Sequence, residues 1–236
     1  MRLPGPDFHT DMFEECGMED ERRRLLDRIR EELGDLKVIQ AMEHVDRADF
    51  VPPSSAHLAY EDIPLPIGEG QTISQPFIVA LMIGALDLRA SDRVLEVGTG
   101  SGYQAAVLAR LAREVVTVER IPSLAESAEN RLKALGIDNV RVHLAGDELG
   151  WPEDAPYDAV VVSAAAPTLP RKLIDQLVIG GRMVAPVGSM GSQELMRVVR
   201  TADGFSVRTM GYCRFVPLIG PDAWPEDTLV DDGDPL

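Results

Sequence analysis

The sequence predicts a doubly wound α/β fold whose sheet is mostly parallel and finishes in antiparallel strands. Three observations carry this. From Asp92 the chain alternates short apolar runs with helical stretches, the pattern of parallel strands joined by crossover helices. Tyr157 to Ser163 is almost unbroken in its apolar character, as in a strand buried on both faces. Near the end, Glu194–Thr201 and Phe205–Met210 flank Ala202-Asp203-Gly204, and Asp-Gly between strand-like runs signals a hairpin.

Residues 1–18 contain Pro4, Gly5, Pro6 and Gly17 and read as irregular. Glu19–Leu33 places Leu25, Leu26, Ile29 and Leu33 at helical spacing, and Gly34 ends it. Lys37–Val45 reads as a second, short helix until Phe50-Val51-Pro52-Pro53 breaks the pattern. Pro64–Pro76 reads as a loop, and an apolar helix, Phe77–Leu88, follows. The alternating part then runs as strand Arg93–Val97, glycine loop Gly98–Gly102, helix Tyr103–Leu111 and strand Glu114–Glu119. It continues as helix Pro122–Leu135, whose early proline loses no needed N–H, and strand Val140–Leu144. Strand Tyr157–Ser163, helix Leu169–Leu177 and strand Arg182–Pro186 follow. After the hairpin comes a final strand, Tyr212–Leu218. This divides the chain into N-terminal helices with a loop (1–76), a core (77–220) and an acidic tail (221–236) that reads as solvated.

Composition excludes several classes. With 39 acidic and 23 basic residues, the formal net charge of -16 argues against nucleic acid or an anionic membrane as partner. Cys16 and Cys213 form no disulfide framework, and His9, His44, His57 and His143 show no metal-ligand spacing. No apolar run approaches the ~18 residues of a membrane span, and the start lacks the features of a secretory signal. A cytoplasmic, monomeric enzyme without a metal is the resulting expectation.

The stretch Val94-Leu95-Glu96-Val97-Gly98-Thr99-Gly100-Ser101-Gly102-Tyr103 runs from strand through glycine loop into helix. Ligands of open α/β sheets bind at such carboxyl ends, and glycine lets backbone approach them. The dinucleotide fingerprint fits poorly, because its third small position falls on Tyr103. A Walker-type cradle fails for want of its lysine. What remains is the E-x-G-x-G-x-G form common in S-adenosylmethionine-binding methyltransferases. Glu96 suits a cationic amino-acid ligand and repels a pyrophosphate. Glu119, ending the next strand, can accept from both ribose hydroxyls, a device shared with NAD enzymes. Asp147, after the third strand, can accept from an adenine amino group. Each also has a structural reading: a tight turn, a surface charge, a turn residue.

The loop before the core is more specific. Gly70-Gln71-Thr72-Ile73-Ser74-Gln75-Pro76 before an apolar helix resembles the signature of the protein-L-isoaspartate O-methyltransferase family. The resemblance covers roughly residues 38–220. It includes Phe50-Val51-Pro52, Pro64-Leu65-Pro66-Ile67-Gly68, Val118-Glu119-Arg120-Ile121-Pro122, Ala164-Ala165-Ala166-Pro167 and Phe215-Val216-Pro217-Leu218. In this chain Asp147 is followed by Glu148, where bacterial relatives usually carry glycine.

That resemblance implies a Rossmann-like methyltransferase sheet and methyl transfer from S-adenosylmethionine, with S-adenosylhomocysteine as product. The implied acceptor is the free α-carboxylate of L-isoaspartyl residues in peptides and proteins, whose ester closes to a succinimide and so begins repair. It implies a donor site of Gln71, Thr72, Ile73, Glu96, Gly98, Thr99, Gly100, Gly102, Glu119, Arg120, Asp147 and Glu148. It places Ser74 beside the methyl to orient the carboxylate, although Ser74 also suits a helix N-cap. It implies a substrate groove lined by Ser163, Ala164, Ala165, Val216 and Leu218, where a strand edge docks an extended peptide. A carboxylate of pKa about 4 is ionised at neutral pH and needs no general base. That accounts for the lack of a His–Asp or Cys–His pair. The alternative acceptor is a normal aspartate, or another carboxylate, of a specific peptide.

Overall fold

The computed structural model describes the backbone of residues 8–225 and the side chains of residues 17–225. The Cys16 side chain and most of the acidic tail, 226–236, lie outside the described residues. Helix α1 spans Phe8–Leu33, so it begins well before Glu19 and runs through Gly17. A glycine inside a helix loses only about 1 kcal/mol against alanine, which a long helix tolerates. Gly34, at φ 68°, turns the chain, and its N–H bonds the Arg30 carbonyl at 2.9 Å. The Asp35 carboxylate then caps α2 (Leu36–Glu43), accepting from the N–H groups of Lys37 and Val38.

Pro64–Pro76 is not a plain loop. It folds as a short hairpin of β1 (Leu65–Gly68) and β2 (Gln71–Ile73), with Leu65 opposite Ile73. The turn residues Glu69 and Gly70 both have positive φ, 54° and 68°, as a two-residue type I′ turn requires. Two prolines and two glycines mask the strand pattern in the sequence. Helix α3 (Pro76–Leu86) follows, and then the alternating core: β3 (Arg93–Val97), α4 (Tyr103–Ala109), β4 (Glu114–Glu119), α5 (Pro122–Ala134) and β5 (Val140–Leu144). It continues through β6 (Tyr157–Val162), α6 (Arg171–Asp175), β7 (Leu177–Ser189), β8 (Ser192–Thr201) and β9 (Gly204–Cys213). Helix α6 is shorter than expected, because Leu177 already belongs to β7.

The seven-stranded sheet has the order β5-β4-β3-β6-β7-β8-β9. Strands β3 to β7 are parallel, and β8 and β9 add antiparallel. β3 pairs with both β4 and β6, so the order reverses beside β3 and opens a crevice at its carboxyl end. Alternate residues of the buried strands feed two cores. Val94, Val115, Ala159 and Val184 pack with α1–α4 on one face. Leu95, Val116, Val160 and Met183 pack with α6 on the other. At the amino ends of the strands, Arg182 bonds the carbonyls of Leu86, Asp87 and Asp158, and its Nη2 meets Asp92 Oδ2 at 2.7 Å.

The expected strand Tyr212–Leu218 is different. β9 continues to Cys213, and within the rest of that stretch Pro217 alone forms a bridge, to Ala165. Pro217 has no N–H to sustain a ladder. Instead the Ala165 N–H bonds the Val216 carbonyl, and the Leu218 N–H bonds the Ala165 carbonyl, each at 2.8 Å. Among the described residues no helix is long and apolar enough to cross a membrane.

Candidate active site

A cavity of ≈ 250 Å³ opens at the carboxyl ends of β3, β4 and β6. Segments far apart in sequence wall it: the β2–α3 connection, the glycine loop after β3, the stretches that follow β4, β5 and β6, and the irregular stretch after β9. The loop comes close at Gly98 and Gly100, which carry no side chain. At Gly98 (φ 96°) an added Cβ would sit 3.4 Å from the Ser163 Cβ, and at Gly100 (φ 52°) 3.4 Å from the Ile67 Cδ1. The Gly98 N–H bonds the Val118 carbonyl at 2.8 Å, which ties the loop to β4.

Glu119 anchors the wall at the end of β4. Its carboxylate is 6% exposed and accepts from three backbone N–H groups: Gly100 at 2.9 Å, Arg120 at 2.9 Å and Ile121 at 3.0 Å. The charge is thus held by the backbone, while the side chain remains on the cavity wall. Arg120 is the one cation on that wall among the described residues. Gly98, Thr99 and Gly100 line the same side, and Glu148 faces them from the loop after β5.

Gln71, Thr72, Ile73 and Ser74 line the wall that leads from the hairpin into α3. Ser74 does not cap that helix. Gln75 holds the cap position, and the Asp62 carboxylate takes both the Phe77 N–H (2.8 Å) and the Gln75 Nε2 (2.9 Å). The Ser74 hydroxyl is therefore not engaged in capping. The same cavity is lined by Ser163, Ala164, Val216 and Leu218.

Four expected site residues do not line the cavity. Glu96 is wholly buried beneath the glycine loop. Thr117 donates to it at 2.6 Å, and Thr117 in turn pairs with Thr99 at 2.7 Å. Burial pushes its pKa up to about 8, against opposing bonds from Thr117 and Gln104. Thr117 and Thr99 link it towards the cavity wall, and Glu96 itself stands outside the lining. Gly102 is the N-terminal cap of α4 at φ 87° and faces Ala128 and Leu132. Asp147 points to solvent, because the turn after β5 presents Gly146 and Glu148 instead. Ala165 is 2% exposed, and its N–H and carbonyl are both taken by the post-β9 stretch, so it offers no edge to a peptide.

Sequence reasoning missed Gln104, Tyr103, Leu149 and Pro221, all on the wall. Gln104 had a signal: it is a polar residue, 8% exposed, in an otherwise apolar helix. Its Nε2 donates to Ser163 Oγ at 2.9 Å and so joins the helix after the glycine loop to the stretch after β6. The other three are indistinguishable from core or turn residues until the fold assembles them.

Residues 20–223 match the family model of the Protein-L-isoaspartate(D-aspartate) O-methyltransferase, PCMT. The chain is 51% identical, over 81% of its length and 87% of the relative's, to a protein-L-isoaspartate O-methyltransferase of Methanoculleus marisnigri. It is 54% identical, over 79% of its length and 77% of the relative's, to protein-L-isoaspartate O-methyltransferase 1 of Rhodopseudomonas palustris. Among solved structures, a protein-L-isoaspartate O-methyltransferase superposes with TM-score 0.77 at 28% identity, covering 86% of this chain and 67% of the other. A Plasmodium falciparum protein-L-isoaspartate O-methyltransferase described as putative, solved in complex with S-adenosyl-L-homocysteine, superposes with TM-score 0.71 at 26% identity, covering 83% and 96%. The seven-stranded sheet, the cavity at its carboxyl edge and these likenesses have one reading: the chain belongs to the protein-L-isoaspartate(D-aspartate) O-methyltransferase family.

Proposed function

We propose that this enzyme transfers a methyl group from S-adenosylmethionine to the free α-carboxylate of L-isoaspartyl residues, with Ser74 orienting the acceptor. The observation that carries the reading is a single cavity that joins the Glu119 side to the Ser74 side. Donor and acceptor can meet there without crossing solvent.

The wall suits the donor. Glu119 retains lone pairs for the two ribose hydroxyls while its charge is held by backbone N–H groups. Val118, Ile121 and Leu149 supply apolar surface for a base. One arginine is a weak match to a pyrophosphate, so a dinucleotide fits less well. When bound, S-adenosylmethionine supplies a methyl on a sulfonium, a leaving group that needs no activation.

The chain's own groups then have three tasks. Ser74 donates its hydroxyl proton to one acceptor oxygen and leaves the other free to attack in line. Gln104 fixes the Ser163 hydroxyl on the facing wall. Val216 and Leu218 give the peptide an apolar shelf and exclude water. No residue removes a proton, because the acceptor is already an anion. Rate comes from holding oxygen, carbon and sulfur in line. The ester formed closes to a succinimide without further help from the enzyme.

Labelled S-adenosylmethionine with matched isoaspartyl and aspartyl peptides tests the proposal. Base-labile label on the isoaspartyl peptide is the expected result. Label confined to the aspartyl peptide would sink the repair reading in favour of a dedicated aspartate methyltransferase.

A further inference from the structure

The most unusual charged group near the cavity belongs to none of the elements that line it. Arg47 lies in the 3-10 turn Arg47–Phe50 and is 2% exposed. Its guanidinium spans three backbone carbonyls. Nη1 donates to Ala59 at 2.7 Å, and Nη2 donates to Ile63 at 3.0 Å and to Ser74 at 3.1 Å. Its Nε is buried without a partner, and among the described residues no carboxylate stands within ion-pair distance. Burial lowers its pKa to about 10, with Tyr103 and Asp62 pulling it back up. It is therefore still a cation at neutral pH.

A buried cation paired only with carbonyls is expensive for a fold, and one satisfied by a carboxylate would be less so. Its placement gives the reason. The Ser74 carbonyl is held by Arg47 from one side, while Asp62 holds the next residues through Gln75 Nε2 and the Phe77 N–H. The two residues flank Ser74 and fix the peptide that carries it. Neither Arg47 nor Asp62 lines the cavity.

We propose that Arg47 is a positioning residue for the acceptor, with Asp62 as its counterpart. Its planar fork sets the Ser74 peptide, and its positive charge behind that peptide favours an anionic acceptor over a neutral one. This rests on the acceptor role proposed for Ser74. The two parts have different kinetic signatures. The fork governs where Ser74 sits, so it acts on the methyl-transfer step. The charge acts mainly on binding: the carboxylate and the sulfonium both lose their charge as the methyl moves, so a nearby cation stabilises the bound anion more than the transition state.

Arg47→Lys keeps the charge and loses the fork. Arg47→Met loses both. For Arg47→Lys the expected result is kcat on an isoaspartyl peptide lowered by about 10²-fold, the scale of a 1 Å misplacement, with KM for the peptide little changed. For Arg47→Met, KM should rise as well. Calorimetric affinity for S-adenosylhomocysteine should hold for both, since the donor wall is untouched. In the pair Arg47→Lys with Ser74→Ala, the loss should be no greater than for Ser74→Ala alone, because an absent hydroxyl cannot be misplaced. The proposal is overturned if the two losses multiply, or if S-adenosylhomocysteine affinity falls in step with kcat. If Arg47→Lys does not fold, Asp62→Asn carries the same comparison from the other arm. Wild-type protein inert towards the isoaspartyl peptide, or Ser74→Ala as fast as wild type, would instead overturn the acceptor reading and the role of Arg47 with it.

Discussion

Arg182 and Arg47 do similar work by hydrogen-bond geometry and different work by charge. Both side chains are largely removed from water, and both bridge carbonyls from segments distant in sequence. Arg182, at the amino ends of the strands, also meets Asp92, with side chains 14% and 5% exposed. Arg47, beside the cavity, meets only carbonyls. The end of the sheet that only has to hold together neutralises its buried charge. The end that has to receive an anion leaves one standing.

The largest expected effect comes from breaking the neutral end. Arg182→Met removes the cation, leaves Asp92 buried without its partner and frees three carbonyls. Breaking a buried pair from one side costs about 3–5 kcal/mol. Urea denaturation should show a loss near the lower figure, while kcat of the remaining folded enzyme stays within about two-fold, since no cavity residue is touched. An equal loss of kcat in folded protein would mean that the two ends are coupled and the contrast is false.

The next effect divides the cavity itself. Ser74→Ala should slow methyl transfer by about 10²-fold while S-adenosylhomocysteine affinity changes little. Glu119→Ala should do the reverse and weaken that affinity by about 10²-fold, as expected from removing a charged acceptor of hydroxyl hydrogen bonds. Calorimetry beside the peptide assay separates them. Parallel losses in both variants would show that donor and acceptor walls do not act independently.

How legible this was follows the same division. The alternating parallel core could be read from hydrophobic pattern, because strands buried on both faces leave few alternatives. The glycine loop and Glu119 were visible because each occupies a fixed place at a strand end. The hairpin Leu65–Ile73 was hidden by Pro64, Pro66, Gly68 and Gly70, residues that signal loops. Asp147 and Glu96 lie outside the cavity lining, because spacing gives the turn but not which side chain faces inward. Arg47 gave no signal at all. A lone arginine in a short turn becomes informative only when Ala59, Ile63 and Ser74 gather around it.

Glu96 gives a smaller, pH-dependent effect. Its pKa in the fold, about 8, lies above an unfolded value near 4.5, so the native state binds the proton more tightly. The stability this contributes is fully present below the unfolded pKa and is lost as pH rises towards and through about 8. The slope over that window is at most about 1.4 kcal/mol per pH unit. Glu96→Gln cannot ionise and should flatten it. Denaturation at pH 5, 6.5 and 8 checks this: wild type should lose stability across the series relative to Glu96→Gln. A constant difference between the two would place Glu96 as a permanent carboxylate, and the donor end would then hold two buried anions.

The smallest effect sets the scale for the rest. Lys133 and Glu129 form an ion pair at 2.6 Å on α5, one turn apart, with side chains 68% and 48% exposed. The bond is as short as that between Arg182 and Asp92, yet water solvates both partners and competes with it. Lys133→Ala should therefore change stability by only about 0.3–0.5 kcal/mol, and less at high salt. Denaturation of this variant and of Arg182→Met in the same buffer gives the comparison its measure. If the two losses are similar, burial is not what distinguishes these ion pairs, and the lack of a carboxylate in contact with Arg47 loses its significance.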